Sequence, residues 1–397
     1  MRRLLLAAAA LALIAAFTPA VAQAQSTPGG VPPVKHVFIL ILENEGAETS
    51  FGANPGSSYL AVDLRAQGNL LEQYYGTSHN SLGNYLTMIS GLPTTVLSQL
   101  DCPAAPWNLC TSSANVPTIA NQLDAAGLSW RGYMEDMATP CEHPGVGLTD
   151  SDGTQSATAA SQYANRHDPF IYFHSIIDDA ASCANHVVNL DQLPADLASA
   201  STTPSYTFIT PDLCHDGHDA SCADGGPGGY AGIDEFLQQW VPLIEQSPAF
   251  ADGLLLITFD EASTSDASAC CYSTPLAGLS GDGGGRVGAL AISPFVAPGT
   301  STQVPYNHYS MLASVEDLFG LSRLGGAAQP ASVPFGSDVY NAAGSNRGVS
   351  GPGATVNAGG GSGGSLPATG GVRWPWLVLA AVLAFGALAA RRVTRGR

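Results

Sequence analysis

The sequence is short of positive charge. Lysine and arginine together number 14, against 32 aspartates and glutamates, and the formal net charge is −18 at pH 7. All 32 acidic residues lie between Glu43 and Asp338, whereas seven of the 14 basic residues lie in the terminal segments, so the chain between those segments carries a net charge of −25. A surface of this sign repels nucleic acids. The composition therefore argues against a nucleic-acid partner, and solubility or salt tolerance accounts for most of the carboxylates, while some remain for binding a metal ion.

An internal repeat is absent from the sequence, and so is the cysteine spacing of a zinc finger. The eight cysteines are an even number, which favours disulfide bonds in an exported protein over metal binding. Cys102 could pair with Cys110, and Cys214 with Cys222, each pair closing a short loop. Connectivity is not encoded in spacing alone, so the pairing of four cysteines stays open: Cys141, Cys183, Cys270 and Cys271.

The first 24 residues have the pattern of a secretory signal peptide. Arg2 and Arg3 precede an apolar run over residues 4–17, and Ala22-Gln23-Ala24 follows. A charged start, an apolar stretch and small residues at the end direct export and mark a cleavage site. We expect cleavage after Ala24, with cleavage after Ala22 as the alternative.

The C-terminal segment predicts a surface anchor. Residues 342–365 are rich in glycine, serine and alanine, which is typical of a flexible spacer. The motif Leu366-Pro367-Ala368-Thr369-Gly370, an apolar transmembrane segment at 372–390 and a basic cytoplasmic tail at 391–397 follow in order. This order resembles the LPxTG sorting signal of Gram-positive surface proteins, which implies that a sortase cuts after Thr369 and links it to the cell wall. A plain membrane anchor is the alternative, and in both cases the central domain, 34–341, faces outward.

Apolar runs alternate with amphipathic segments along the central domain. Residues 36–42 and 254–259 are continuously apolar, which predicts strands covered on both faces of a parallel sheet. Strands that alternate with helices predict an α/β fold, a three-layer sandwich around a mostly parallel sheet. Further strands are expected at 70–75, 130–134, 205–210 and 286–292, and helices at 58–66, 117–126, 171–178, 190–197, 232–246 and 309–321.

Residues able to bind a metal ion follow three of the predicted strands. A strand-end aspartate more often caps a helix, but ligands of open α/β sheets bind at the carboxyl ends of the strands. Carboxylates with histidines suit a divalent cation. The joint placement therefore predicts a metal site at one edge of the sheet, formed from Glu43-Asn44, Asp260-Glu261, Asp212, Asp216 and His218, with His308 at the entry to the last helix.

Residues 76–91 combine a polar turn with the start of a helix. Leu82, Tyr85 and Ile89 share one helix face, so the helix is expected to begin near Ser81. Free N–H groups and the positive end of the helix dipole stabilise an anion or a developing alkoxide. Ser81 is therefore a candidate nucleophile, and the alternative is that it only caps the helix.

A metal ion at this edge would activate the Ser81 hydroxyl and neutralise a phosphoryl group, giving a phosphoserine that water hydrolyses. Asn84, one helical turn later, could donate to a phosphoryl oxygen. His79 could protonate the leaving group or bind the metal ion. Arg131 and Arg286 could bind the phosphate, although nothing in their context singles them out.

Five ordered motifs carry a family resemblance. They are Leu42-Glu43-Asn44, the segment 78–85 with Ser90-Gly91, Phe259-Asp260-Glu261, the segment 292–299 and Asn307-His308-Tyr309-Ser310. Together they resemble the bacterial phosphoesterase family of acid phosphatases and phosphatidylcholine-type phospholipases C, within the alkaline-phosphatase superfamily. The resemblance covers roughly residues 34–324 and implies an alkaline-phosphatase-like fold.

The resemblance also implies the roles of individual residues. The superfamily nucleophile stands three residues before an asparagine, which selects Ser81. The metal ligands implied are Glu43, Asn44, Asp260 and Glu261, with the Ser81 oxygen completing the shell, and a second ion would use Asp212, Asp216 or His218, and His308. Many superfamily members carry Asp-His where this chain has Asp260-Glu261, so the number and identity of the ions, Mg, Mn, Zn or Ca, stay open.

These observations predict a wall-anchored, metal-dependent phosphoesterase that hydrolyses phosphate monoesters through a phosphoserine. Residues 34–341 leave no room for the extra C-terminal domains often found in secreted phospholipases C of this family, which favours monoesters. A phospholipase C or phosphodiesterase is the first alternative. The second alternative is a surface binding protein that kept the fold and lost catalysis. The joint presence of Ser81, Asn84, Asp260 and His308 argues against it, because a protein that had lost catalysis would have lost at least one of them.

Overall fold

The computed structural model describes residues 30–102, 107–145, 156–273 and 283–342. The predicted signal peptide, sorting motif, transmembrane segment and basic tail, with the spacer beyond residue 342, lie outside these residues. No helix in the described ranges has both the length and the apolar character needed to cross a membrane. The domain boundaries remain predictions.

The described residues form ten strands. They are β1 His36–Leu42, β2 Asn69–Leu71, β3 Tyr74–Tyr75, β4 Trp130–Met134, β5 Val187–Asn189, β6 Tyr206–Thr210, β7 Gly253–Phe259, β8 Ala289–Ile292, β9 Thr300–Thr302 and β10 Tyr306–Asn307. Eight of them make one sheet in the order β5-β4-β6-β1-β7-β8-β2-β9, and β10 pairs with β3 in a second. Only β8 runs antiparallel to its neighbours. The prediction of an α/β fold around a mostly parallel sheet is confirmed.

The centre of the large sheet is apolar on both faces. Every residue of β1, β6 and β7 is buried, as expected for parallel strands covered by helices on either side. β1 lies between β6 and β7 and is parallel to both. Because parallel strands end at the same edge, the segments that follow Leu42, Thr210 and Phe259 are neighbours in space.

Eight α-helices surround the sheet. They are α1 Ala47–Phe51, α2 Ser81–Ser90, α3 Ile119–Ala126, α4 His174–Ile177, α5 Ala180–His186, α6 Leu193–Asp196, α7 Gly229–Glu245 and α8 His308–Phe319. α2 contacts α3 and α8, whereas α7 and α1 both contact the helical segment Tyr59–Leu64. Since the central strands are buried on both faces, these two groups form the outer layers of a three-layer sandwich.

Three predicted helices are less regular than their apolar spacing indicates. The segment predicted at 58–66 is a π-helix followed by a 3₁₀ turn, and those at 171–178 and 190–197 each combine a 3₁₀ turn with one short α-helix. α5 and β5 lie between the helices predicted at 171–178 and 190–197, and neither was predicted. β5 is only three residues long and is fixed by pairing with β4, a contact distant in sequence.

The prediction of one strand over 70–75 was wrong. β2 pairs with β8 and β9 in the large sheet, whereas β3 pairs with β10 in the small one. The chain thus leaves the large sheet after Leu71, and Gly76 lies at the edge of that sheet beside Asp260, which follows β7. A Cβ at Gly76 would lie 2.6 Å from the carbonyl oxygen of Asp260, so only glycine allows this approach. The bend brings the turn before α2 onto the end of β7.

All eight cysteines are paired in the structure. Cys102–Cys110 and Cys214–Cys222 are the two short-loop disulfides that sequence spacing suggested. The other two bonds are Cys141–Cys183 and Cys270–Cys271.

Candidate active site

Glu43 and Asp260 lie together at the carboxyl edge of the large sheet. Glu43 directly follows β1 and Asp260 directly follows β7, and both are fully buried. The backbone N–H of Asn44 donates to Oδ1 of Asp260 at 3.1 Å, and its side chain lies 3.4 Å from Oε2 of Glu43. Two carboxylates that are 217 positions apart in the sequence are therefore adjacent because their strands are neighbours.

Ser81 is the first residue of α2, and its hydroxyl donates to Oε2 of Glu43 at 2.8 Å. The residue that caps this helix is Asn80, not Ser81, which removes the reading of Ser81 as a simple cap. Asn80 has φ 152°, a conformation that residues other than glycine rarely adopt. Strained backbone of this kind persists only where surrounding contacts impose it, and it is concentrated at functional sites.

Tyr85 holds the second oxygen of Glu43. Its hydroxyl, one turn further along α2, donates to Oε1 at 2.6 Å. Glu43 thus accepts one O–H from Tyr85 and one from Ser81, both carried by the same helix. This fixes the carboxylate relative to the serine oxygen.

Asn84 positions the turn before Ser81. Its Oδ1 accepts the backbone N–H groups of Thr77 and Ser78, each at 2.9 Å. Its Nδ2 donates to the carbonyl of Ser78 and to Oε2 of Glu261, each at 3.0 Å. Both amide hydrogens are therefore used within the protein, which gives Asn84 a positioning role, and its donation to a phosphoryl oxygen stays a prediction.

His167 is a member of the site that the sequence analysis missed. It is buried, with Nδ1 3.0 Å from Oδ2 of Asp216 and Nε2 3.4 Å from Oε2 of Glu43, and its ring stacks on Tyr85. Asp216 follows β6, and its carbonyl accepts the N–H of Glu43 at 2.8 Å. The signal in the sequence was the polar run Arg166-His167-Asp168 before an apolar stretch.

The site concentrates negative charge in a buried place. Burial raises the pKa of Glu43 well above its ordinary value, and the charges of Asp260 and Asp216 raise it further. Burial likewise raises the pKa of Asp216 and of Glu261, and that of Asp260 to about 7. Buried carboxylates in mutual contact ionise together only where a cation neutralises them.

The donor atoms fit a divalent metal ion. Oδ2 of Asp260 and Nε2 of His167 are buried without a hydrogen-bond partner. One ligand atom each from Glu43, His167 and Asp216 lie within 4.8 Å of one another. Carboxylate oxygens with an imidazole nitrogen are a ligand set for ions such as Mn²⁺ or Zn²⁺.

His308 occupies a different place from the one predicted. Its Nε2 lies 2.6 Å from the backbone carbonyl of Asp260 and its Nδ1 lies 3.1 Å from the Tyr74 hydroxyl. Both ring nitrogens are engaged, and the ring supports the Asp260 backbone. Burial lowers its pKa to about 4, which keeps the ring neutral.

His218 and Asp212 flank the carboxylate cluster without joining it. His218 pairs with Asp219 through Nδ1, at 2.7 Å, and accepts from Arg166 at Nε2, at 3.0 Å, which leaves no nitrogen for a metal ion. Asp212 accepts the N–H groups of Cys214 and His215 in the turn after β6. Of the residues predicted for a second ion, only Asp216 reaches the site.

His79 is turned away from the cluster toward the loop that follows β7. Its Nε2 lies 2.9 Å from the backbone carbonyl of Asp266, and its buried Nδ1 has no hydrogen-bond partner. The hydrogen bond fixes the ring against this loop. The geometry thus gives His79 a structural contact where the sequence predicted proton transfer or metal binding.

A family model that describes the phosphoesterase family matches residues 57–322. The match covers more than half of the chain, and it includes Ser81, His167 and Asp260. The chain belongs to the phosphoesterase family. Glu43 and Asn44 precede the matched range, so their place in the site rests on the geometry.

Curated relatives of the phosphoesterase are phosphatases. The chain is 30% identical to a probable acid phosphatase of Kluyveromyces lactis over 73% of this chain and 59% of that protein. It is 31% identical to a phosphate-repressible acid phosphatase of Penicillium chrysogenum, over 66% of this chain and 54% of that one. The chain thus spans between half and three fifths of these relatives. A phosphatidylinositol-3-phosphatase of Mycobacterium tuberculosis is 23% identical over 83% of this chain and 91% of that protein.

Among solved structures, the phosphoesterase is similar to an alkaline-phosphatase-superfamily protein of Vibrio parahaemolyticus. The TM-score is 0.49 and the identity 13%, over 79% of this chain and 75% of that one.

An arginine beside the cluster of the phosphoesterase, Arg166, has no predicted role in the sequence analysis. Arg131 pairs with Asp196 beside β4, and Arg286 pairs with Glu48, so neither points to the site. Arg166 is buried next to His167, and its charge bears on the pKa of Asp216. It is the basic side chain that the fold brings to the carboxylates.

Proposed function

We propose that this phosphoesterase hydrolyses phosphate monoesters, with Ser81 as the nucleophile and a divalent metal ion held in the carboxylate cluster. The observation that carries the proposal is the 2.8 Å hydrogen bond from Ser81 to Glu43 inside a buried group of acidic side chains. A serine at a helix start, in a strained turn and beside such carboxylates, has the features of an activated nucleophile.

The Ser81 oxygen forms a bond to phosphorus as the bond from phosphorus to the substrate oxygen breaks, and the departing alkoxide takes a proton from water to leave as the alcohol. The serine proton has an acceptor in Oε2 of Glu43, its partner in the resting site. The product of this step is a phosphoserine. Water then attacks phosphorus, the bond to the Ser81 oxygen breaks, and phosphate and the free hydroxyl are restored.

The metal ion would be held by Glu43, Asp260, Asp216 and His167, with Asn44 at the mouth of the site. When bound, such an ion neutralises the carboxylates, polarises a phosphoryl oxygen and lowers the pKa of the serine hydroxyl. Glu261 is engaged by Asn84 and by the N–H of Asn80. Its part is therefore to hold the turn before Ser81.

The test is turnover of p-nitrophenyl phosphate with and without EDTA, together with metal analysis of the purified protein. Ser81→Ala is expected to lower kcat at least about 100-fold, as for loss of a covalent nucleophile. Acid-quenched wild-type enzyme is expected to carry a phosphoryl group on the peptide that contains Ser81, detected by mass spectrometry.

Ser90→Ala is the matched control, because Ser90 is buried at the far end of the same helix, where its hydroxyl donates to the carbonyl of Leu86 and accepts the N–H of Leu92. It is expected to retain activity. Wild-type turnover in Ser81→Ala, or a phosphopeptide that lacks Ser81, would assign the nucleophile elsewhere.

A phosphorylated lipid headgroup is the second candidate substrate. It is favoured by the similarity to the mycobacterial phosphatidylinositol-3-phosphatase, which extends over 91% of that protein. Assays with phosphatidylinositol 3-phosphate, bis-p-nitrophenyl phosphate and phosphatidylcholine separate a lipid monoesterase from a phosphodiesterase and a phospholipase C. Release of inorganic phosphate from the first substrate alone is the expected pattern.

We further propose that the protein is exported and linked to the cell wall through Thr369. The signal-peptide pattern at 1–24, the motif at 366–370 and the pairing of all eight cysteines support this location. In a Gram-positive host that contains sortase, the protein is expected in the wall fraction. Deletion of 366–370 is expected to move it to the membrane fraction.

A further inference from the structure

The cap of the helix that carries Ser81 comes from a separate segment. Asn80 makes no side-chain bond to its own helix. Instead, Oδ1 of Asp101 accepts the N–H of Leu82 at 2.9 Å, and Oδ2 accepts from the side chain of Asn80 at 3.2 Å. Asp101 therefore places a carboxylate at the first turn of α2, one residue from the nucleophile.

Asp101 is held in this position by its neighbours. Gln99 donates from Nε2 to Oγ of Ser78 at 3.2 Å, so the same segment also contacts the turn before Ser81. The disulfide between Cys102 and Cys110 follows directly. Asp101 itself has φ 51°, which side-chain-bearing residues adopt only when contacts compensate.

Asp101 and Glu261 hold the same residue. Oδ2 of Asp101 accepts from the side chain of Asn80, and Oε2 of Glu261 accepts its backbone N–H. The carboxylate of Asp101 is therefore bonded to the residue that directly precedes the nucleophile.

We propose that Asp101 is a positioning and specificity-determining residue, which sets how strongly the site distinguishes dianionic phosphate monoesters from monoanionic diesters. The inference rests on the proposed function. The N–H groups and positive dipole of a helix start attract phosphate, and here the carboxylate of Asp101 already accepts one of these N–H groups, that of Leu82. A monoester carries nearly two negative charges at pH 7.5, because its second pKa is about 6, whereas a diester carries one. The negative charge of Asp101 therefore repels a monoester more strongly than it repels a diester.

Two substitutions separate the hydrogen bonds of Asp101 from its charge. Asp101→Asn keeps the size and an acceptor for the N–H of Leu82, and the amide of Asn80 can rotate to present its oxygen. Asp101→Ala removes both the bonds and the charge. Asp63→Asn is the matched control, since Asp63 is exposed on the segment that packs with α7.

At pH 7.5, Asp101→Asn is expected to lower the KM for p-nitrophenyl phosphate about three- to tenfold, the scale of removing one nearby charge from a partly solvated site. The KM for bis-p-nitrophenyl phosphate should fall by a smaller factor, and kcat should stay within about threefold of wild type. Asp101→Ala is expected to lower kcat for both substrates at least about tenfold, because the turn before Ser81 loses its support.

Binding of inorganic phosphate, measured by calorimetry, tests the charge effect without turnover. The Kd should fall about three- to tenfold in Asp101→Asn and stay unchanged in Asp63→Asn. An unchanged Kd together with an unchanged ratio of the two KM values in Asp101→Asn would overturn the inference, even if Asp101→Ala does not fold. A wild-type protein that binds phosphate but hydrolyses neither substrate would sink the proposed function, while the Kd comparison would still decide the role of Asp101.

Discussion

Two regions of the phosphoesterase bury acidic side chains, and they solve the same physical problem differently. At the sheet edge, Glu43, Asp216 and Asp260 are fully buried together. In the last turns of α8, Glu316 is also fully buried, with one oxygen accepting the N–H of Leu324 at 2.8 Å and the other without a hydrogen-bond partner. In both regions burial raises the pKa, and for Glu316 it does so to about 8.

The difference lies in the number of carboxyl groups in contact. Glu316 can be held neutral by a single proton. At the sheet edge, ionisation of one carboxyl group raises the pKa of the others, so charge there accumulates only with a counter-ion. A lone buried carboxyl group thus affects the free energy of unfolding, whereas a cluster of carboxylates beside a serine indicates metal-dependent chemistry.

The largest expected effect is a loss of turnover, and it comes from replacing a buried glutamate by glutamine at the sheet edge but not in α8. Glu43→Gln removes a charge from the cluster and replaces an oxygen acceptor of Ser81 or Tyr85 by a donor, so kcat with p-nitrophenyl phosphate is expected to fall by about 1,000-fold. The metal content of the purified protein should fall with it, as measured by mass spectrometry of the bound element.

Glu316→Gln is the matched control for this change. It makes the same substitution at a buried site in α8 and should leave both kcat and metal content close to wild type. Equal losses of activity in the two variants would mean that buried charge, and not the cluster, governs turnover.

A second effect concerns stability and pH at Glu316. Its pKa is about 8 in the folded protein and about 4.5 in the unfolded chain, so between these pH values the folded state binds more protons. The stabilisation is complete below pH 4.5 and is lost as the pH rises toward 8. Glu316→Gln should therefore raise the free energy of unfolding at pH 8 by about 4 kcal/mol, and much less at pH 4.5.

Urea unfolding at both pH values measures this difference. A variant that is no more stable than wild type at pH 8 would show that Glu316 is relieved in another way, for instance by Arg323, whose charge lowers its pKa.

The smallest expected effect lies within the cluster. Tyr85→Phe removes the O–H that donates to Glu43 at 2.6 Å but leaves the bond from Ser81 in place. The lost charge-assisted hydrogen bond should lower kcat about tenfold, with KM little changed. Steady-state kinetics of both Tyr85→Phe and Tyr74→Phe show whether the effect is specific to Glu43. The second variant is the control, because the hydroxyl of Tyr74 is bonded to His308 and not to Glu43.

The sequence predicted the parts of the site that have local signals. The apolar runs that became β1 and β7 end at Glu43 and Asp260, and the helical spacing placed the start of α2 at Ser81. His167 gave no such signal, because it stands in a 3₁₀ turn within an irregular region. His308 was predicted as a ligand from its position at the start of the last helix, but its contact with the carbonyl of Asp260 depends on tertiary packing and has no signal in the sequence.

Residue order by itself determined where the buried strands lie, where the nucleophile's helix begins and which acidic residues follow the strands, since these depend on periodicity over a few neighbouring positions. Only the tertiary structure decided that β6, β1 and β7 are adjacent, that Asp216 and His167 join Glu43 while Asp212 and His218 do not, and that Asp101 caps α2. Contacts between distant segments depend on strand order and packing, which no local pattern specifies.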